Sequence, residues 1–341
     1  MAQAEAHDAF TQEVHRLRAI YQKQRDTTNL VPPAGRIAFD IAVDVIDGIT
    51  YHTYWYEIEG DSNDLQERYH VVRLADIPGT LSGDILRLKH NLPVLNTDHA
   101  YDIVGDEVRQ LQAAPPLPDD RDDAEDTSEM LAVLPVVEVD PAIHFAKKGK
   151  YASEIRNLLA CQGGSCPGVP KSDHVIQLLG KSRAAELVFN KFTPRYVFGQ
   201  VYPLATYKTW ILQVIDGLRC LHSVEIVHRD LRIDNLVVAE SSRLVIIDLE
   251  SRWGNRLAPE VSRRPILDAG WTEKSDIYDL GYLVKEMIYG NVAITNLVDW
   301  PVPPPLQAIV EACTRVSPDD RPTLDELAAM VNGIVENTQN P

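Results

Sequence analysis

At 341 residues, 45% of them hydrophobic, the chain can bury a sizeable core in one large or two modest domains. Fifty Asp and Glu against 33 Lys and Arg give a net charge of -17, which argues against nucleic acid or an anionic membrane surface as the main partner. A nucleotide, which needs only a local cationic pocket, stays open. The four cysteines (Cys161, Cys166, Cys220, Cys313) are too scattered to staple a secreted scaffold. No apolar run is long enough for a membrane span and the N-terminus lacks a signal-peptide core, so an intracellular, soluble protein of cytoplasm or nucleus is expected.

In chain order, Phe10, Val14, Leu17 and Tyr21 fall at helical spacing in residues 5–25, an amphipathic helix ended by Val31-Pro32-Pro33-Ala34-Gly35. From Arg36 to about His90 the texture becomes β-rich, and a small antiparallel sheet is expected from IAFDIAVDVI, ITYHTYWYEI, YHVVRLADI and DILRLKH. Gly79 and Gly83 fit a hairpin turn better than a phosphate-cradling loop. Proline and then acid dominate residues 113–130, the composition of a flexible linker. Three segments follow from this: 1–114, a helix plus β-rich region; 115–130, the linker; and 131–341, the main domain. Beyond Leu131 the pattern predicts strands in LAVLPVVEV, AIHFAKK, HVIQLLG and ELVFNKF, with a helix at 153–160 among them. A long helix at 206–223, two short strands in LVV and RLVIIDLE, and a mainly helical remainder complete it.

The stretch Ile226 to Val238, IVHRDLRIDNLVV, organises the chain. A polar loop hangs between two apolar runs, and Asp230 and Asn235 stand five apart. That spacing lets the first meet a hydroxyl nucleophile while the second holds a metal. The stretch resembles the protein-kinase catalytic loop H-R-D-L-x-x-x-N at every specified position. Asp248 ends the apolar run LVIID where kinases carry D-F-G, although here the triplet is Asp248-Leu249-Glu250. Ala258-Pro259-Glu260 matches A-P-E, with Arg321 as the arginine expected to pair with that glutamate. Ser275 to Gly281 resembles the central helix whose aspartate braces the catalytic loop.

The chain thus resembles the eukaryotic protein kinase-like superfamily, in a divergent form of the kind found in fungi. The resemblance implies an α+β, bilobal fold, with the β-rich N-terminal region contributing to a small lobe and a mainly helical C-lobe. It also implies ATP and Mg²⁺ as cofactors. Asp230 would orient the acceptor hydroxyl, Arg232 would reach the transferring phosphate, and Asn235 and Asp248 would hold the metal. Phe189 falls at the gatekeeper position, with Asn190 to Phe192 as the hinge. The N-lobe departs from the family pattern. Pro141-Ala142-Ile143-His144 aligns with V-A-I-K, so His144 stands where the phosphate-binding lysine is expected, with Lys148 on the same strand face as a substitute and Glu154 as the helix glutamate.

The function implied is an ATP- and Mg²⁺-dependent phosphotransferase with a Ser/Thr acceptor, its partners being ATP and a protein substrate. Two alternatives are a pseudokinase that binds nucleotide or scaffolds a protein partner without catalysis, and a small-molecule kinase. The span from Asp248 to Glu260 is short and offers Ser251 as its one hydroxyl of the phosphorylatable kind, so activity independent of phosphorylation there is expected.

Overall fold

The computed structural model describes residues 8–27, 40–46, 49–57, 69–75, 100–104, 107–116, 124–193, 195–252, 254, 258–261, 269–290 and 300–335. The expected strand DILRLKH and the Gly79–Gly83 turn lie outside these residues. Among the described residues the fold is mixed, with small sheets and seven α-helices, and no helix is long and apolar enough to cross a membrane. The chain divides into two compact units, residues 16–122 with 292–301, and residues 1–15 with 123–291 and 302–341.

The N-terminal helix α1 (Ala9–Thr27) buries the expected stripe of Phe10, Val14, Leu17 and Tyr21. Its first turns fall in the larger unit, where Phe10 meets Tyr207 edge-on, and the remainder in the smaller, where Tyr21 lies against Trp300.

The smaller unit holds a five-stranded sheet of β1 (Asp40–Ile46), β2 (Ile49–Glu57), β3 (Tyr69–Ala75), β4 (Tyr101–Val104) and β5 (Glu107–Gln110), in sequence order. It is not wholly antiparallel as expected. β3 and β4 run parallel, because residues 76–99 between them are long enough to carry the chain back to the starting end. Arg73 and Asp102, opposite in register on these strands, form a two-pronged ion pair at 2.5 and 2.8 Å. Trp55, Val71 and Ala100 pack together, and Trp55 donates its indole N–H to the carbonyl of Pro115. This region forms a sheet of its own, sharing no strand with the sheet that carries the candidate site.

In the larger unit the end of the acidic stretch is tied down. Thr127 is buried and donates to the Gly149 carbonyl, while Glu125 accepts from the Ala152 amide and pairs with Arg252 at 2.7 Å. A short helix, α2 (Ser128–Ala132), follows where LAVLPVVEV predicts a strand. Pro135 has no N–H to give a ladder, and the pairing reduces to a bridge between Val136 and Lys181. A three-stranded sheet then has the order β6 (His144–Lys148), β8 (Glu186–Asn190), β7 (Gly180–Lys181), with α3 (Ala152–Cys161) between β6 and β7 in sequence. HVIQLLG contributes only its last residue to a strand, Val175 bridging separately to Ile246.

The helical part is organised by burial. α4 (Leu204–His222) sinks Tyr207, Trp210, Ile211, Val214, Leu218 and Leu221 at 3.6-residue spacing. β9 (Leu236–Ala239) and β10 (Arg243–Ile246) form a hairpin beside it. α5 (Glu273–Tyr289) is buried round nearly its whole circumference, the signature of a central helix. It begins with a Thr272–Ser275 capping box and ends on Gly290 in the left-handed conformation. Gly281 lets α6 (Pro304–Cys313) approach; a Cβ there would lie 2.7 Å from Thr314 and 2.9 Å from Cys313. α7 (Leu324–Asn332) closes the unit against α4.

Candidate active site

The loop after α4 is held from below by α5. Asp276, fully buried, accepts the backbone N–H groups of His228 and Arg229 at 2.9 Å each, and the His222 ring lies 2.9 Å from the same carboxylate. An ionised carboxylate only accepts, so His222 donates through Nε2. Ten residues along the helix, Glu286 accepts the amide of Ile233 at 2.7 Å. His228 is itself buried. Its Nε2 lies 3.0 Å from the Ile247 carbonyl and its Nδ1 accepts from the Asp230 amide, which fixes the Nε2–H tautomer. This bracing matters because Arg229 and Asp248 both sit in the left-handed region, at φ 75 and 64. Such residues cost on the order of 1–3 kcal/mol each and persist only where surrounding contacts over-determine them.

The same helix carries an unsatisfied group. Asp279 is buried with neither carboxylate oxygen hydrogen-bonded. Burial pushes its carboxyl far above the usual range, and Asp276, Asp230, Glu286 and Glu260 add to that.

At the top of the loop, the Asp230 Oδ2 accepts from the Asn235 amide at 3.0 Å, and Asn235 also donates to the Asp230 carbonyl at 2.8 Å. Arg232 Nε lies 3.2 Å from the same Asp230 oxygen, close enough for an ion pair but not aligned as a hydrogen bond. Arg232 also faces Asp234 at 3.6 Å. With its N–H₂ committed to Asp230, Asn235 keeps its carbonyl oxygen as the ligand it can offer.

Across from this loop, β6 and α3 supply the cation. Lys147 lies 2.7 Å from Glu154 Oε1 and 2.9 Å from Asp248 Oδ1, with Glu250 at 4.0 Å. Burial works to depress the Lys147 ammonium, but Glu154 and Asp248 outweigh it and hold its pKa above the ordinary value. Glu154 shifts upward too, because burial outweighs the single ammonium available to it. Glu250 is pushed up to about 7 by burial and by Asp248, against the pull of Lys147. On α3, one turn beyond Glu154, Asn157 donates to the Leu249 carbonyl at 2.7 Å and to Ser251 Oγ at 3.1 Å, fixing the chain after Asp248 to the helix.

Of the expected residues, Asp230, Arg232 and Asn235 are brought together on one loop, and Glu154 and Asp248 meet at Lys147. His144 and Lys148 do not enter that pair. Strand alternation puts Phe145 and Lys147 on one side of β6 and His144, Ala146 and Lys148 on the other, and it is Lys147 that meets Glu154. His144 instead accepts the Asp140 amide with its Nδ1. Phe192 lines a small cavity with Val175, Gln177, Asn190, Arg243 and Val245, a set without Asp230, Asn235, Asp248 or Lys147. Sequence reasoning passed over Lys147, Asn157, Glu250 and Glu286. For Lys147 the signal was its seven-residue spacing to Glu154, enough for a strand end, a turn and a helix start.

The A-P-E glutamate and the distant arginine do meet. Arg321 is buried and grips Glu260 with two hydrogen bonds of 2.6 and 2.7 Å, while also donating to the carbonyls of Arg315 and Lys274.

Comparison with known proteins points the same way. A segment of 250 residues is 27% identical to the mitogen-activated protein kinase kinase kinase mkh1 of Cytospora mali, covering 60% of this chain and 13% of that protein. Another of 144 residues is 36% identical to the stress-activated protein kinase JNK of Drosophila melanogaster, covering 37% of this chain and 35% of the relative. Mouse serine/threonine-protein kinase PLK2 is 29% identical over 148 residues, 35% of this chain and 21% of its own length. The chain is similar to protein kinases. It spans about a third or less of the length of these relatives. No protein-family model matches it.

Proposed function

We propose that the chain is an ATP- and Mg²⁺-dependent phosphotransferase acting on serine or threonine hydroxyls of a protein, a divergent kinase of the bilobal type. The observation that carries this reading is the Lys147–Glu154 ion pair, made beside Asp248 in the same larger unit as the Asp230–Asn235 loop. Phosphoryl transfer asks a protein for positioning and charge neutralisation more than for covalent work. Lys147 neutralises the α and β phosphates, kept in place by Glu154. Asp230, whose Oδ2 is fixed by Asn235, has Oδ1 to meet the acceptor hydroxyl. Arg232 moves from Asp230 to the transferring phosphate as its charge develops.

The donor set fits Mg²⁺: the Asn235 carbonyl oxygen and the Asp248 carboxylate are hard oxygen ligands of the kind that ion prefers. These two residues would hold it, and when bound it neutralises charge on the phosphates. A nucleotide-binding scaffold without catalysis drew support from His144 in the lysine position, from the missing glycine loop and from the short span after Asp248; Lys147 in contact with Glu154 answers the first of these. A kinase needs the ATP pool inside the cell, in cytoplasm or nucleus.

Calorimetric titration with ATP, with and without Mg²⁺, tests the site. Wild type binds in a Mg²⁺-dependent manner, and Lys147→Met weakens binding by about tenfold or more, the scale of a charged contact worth 1.5–3 kcal/mol. Equal affinity in wild type and Lys147→Met removes the proposed phosphate cation.

A further inference from the structure

We propose that Glu154, Asp248 and Glu250 form a binding site for a hard divalent cation that fills in the absence of nucleotide. Each of the three offers a carboxylate oxygen, and these atoms all lie within 4.8 Å of one another. Two oxygens across one ion stand at most twice the metal–oxygen distance apart, about 4.2 Å for Mg²⁺ and roughly 4.6–5.2 Å for Ca²⁺. Three oxygens equally spaced around one ion stand closer, about 4.0–4.5 Å apart for Ca²⁺ and about 3.6 Å for Mg²⁺, so the cluster is near the size that a larger hard cation draws together, and Mg²⁺ requires a closure of up to about 1.2 Å.

The second observation is a buried oxygen with nothing to bond. The Glu154 side chain is 2% exposed; its Oε1 is used by Lys147, but its Oε2 has no hydrogen-bond partner. A charged oxygen left so is costly unless a proton, a donor or a metal reaches it. Charge counting gives the same direction. Three carboxylates face the single ammonium of Lys147, a formal balance of minus two, which a divalent ion cancels. Glu250 makes this site peculiar to the chain, since the kinase pattern it resembles has glycine there and so no side chain to offer. The site shares Asp248 with the proposed nucleotide-linked metal but not Asn235. It stands whether or not the chain transfers phosphate.

The test uses the full chain without nucleotide and Mn²⁺ alone, followed by the loss of the free-ion electron paramagnetic resonance signal. One ion bound per chain is expected, with Glu250→Gln and Glu154→Gln each weakening it about tenfold or more. Asn235→Ala is expected to leave this binding unchanged, and Lys147→Met to tighten it by removing the competing ammonium. Circular dichroism of each variant confirms that it is folded, and two independent ligand substitutions guard against one of them failing. Absence of bound Mn²⁺ at millimolar concentration overturns the proposal. So does wild-type affinity in both glutamine variants, or a loss in Asn235→Ala equal to theirs, which would move the ion to the Asn235–Asp248 pair.

Discussion

Asp276 and Lys147 are opposite solutions to burying charge. Around Asp276, one carboxylate serves three donors, two backbone amides and a histidine ring. Around Lys147, three carboxylates share one ammonium. The first arrangement is saturated and fixes a loop with residues in strained conformations. The second is short of positive charge, a deficit of the kind that the proposed cation would fill. Saturation at Asp276 therefore holds the loop, and the deficit at Lys147 is what the proposed function and the proposed cation site both draw on.

The strongest way to break this contrast is to empty the frame. Asp276→Ala orphans three buried donors and should cost about 3–5 kcal/mol, the range for removing one member of a buried charged network. Urea unfolding measures it; a loss below about 1 kcal/mol would show that the loop holds itself. Arg321→Ala should cost a smaller amount, by leaving the half-buried Glu260 with the Ser275 hydroxyl in place of the guanidinium.

The Glu260–Arg321 pair also has a pH signature. Burial raises the Glu260 carboxyl, but hydrogen bonds and charge from Arg321 outweigh it and leave the folded pKa below the ordinary 4.5. Its stabilisation is therefore present above the unfolded value and lost as pH falls through the folded one. Glu260→Gln should accordingly flatten the loss of stability below about pH 4.5 relative to wild type. Identical acid-unfolding curves would remove the pair from the stabilising set.

A smaller effect of opposite sign is expected at Asp279. Its folded pKa is raised, so its contribution to stability is fullest below the unfolded carboxylate value and lost as pH rises through the folded one. Asp279→Asn removes that pH dependence, so the stability of the variant relative to wild type should rise as pH increases from the acid range to neutral. A destabilised variant would mean that the carboxyl group makes a contact the neutral amide cannot replace.

The saturated region was the legible one. His228, Asp230, Asn235, Glu260 and Arg321 lie in fixed local patterns, and the loop's geometry is set by residues close to each other in sequence plus one buried helix. The Lys147 region was harder to read because strand phase decides it. Four side chains that can carry positive charge, His144, Lys147, Lys148 and Lys150, crowd seven positions, and a one-residue slip in phase exchanges the faces. The strand signal of LAVLPVVEV misled through its β-branched content, overridden by Pro135 and the helical start at Ser128. The parallel β3–β4 pairing had no local signal at all, since it depends on where a long connection returns.

The proposed function is tested most directly by transfer of labelled γ-phosphate from ATP to a generic basic protein acceptor, comparing wild type with Asp230→Asn. The expected result is Mg²⁺-dependent incorporation on serine or threonine that falls by about 10²-fold or more in the variant, the scale of a lost general base. Wild type that binds ATP yet incorporates no label, or the same incorporation in Asp230→Asn, would contradict it.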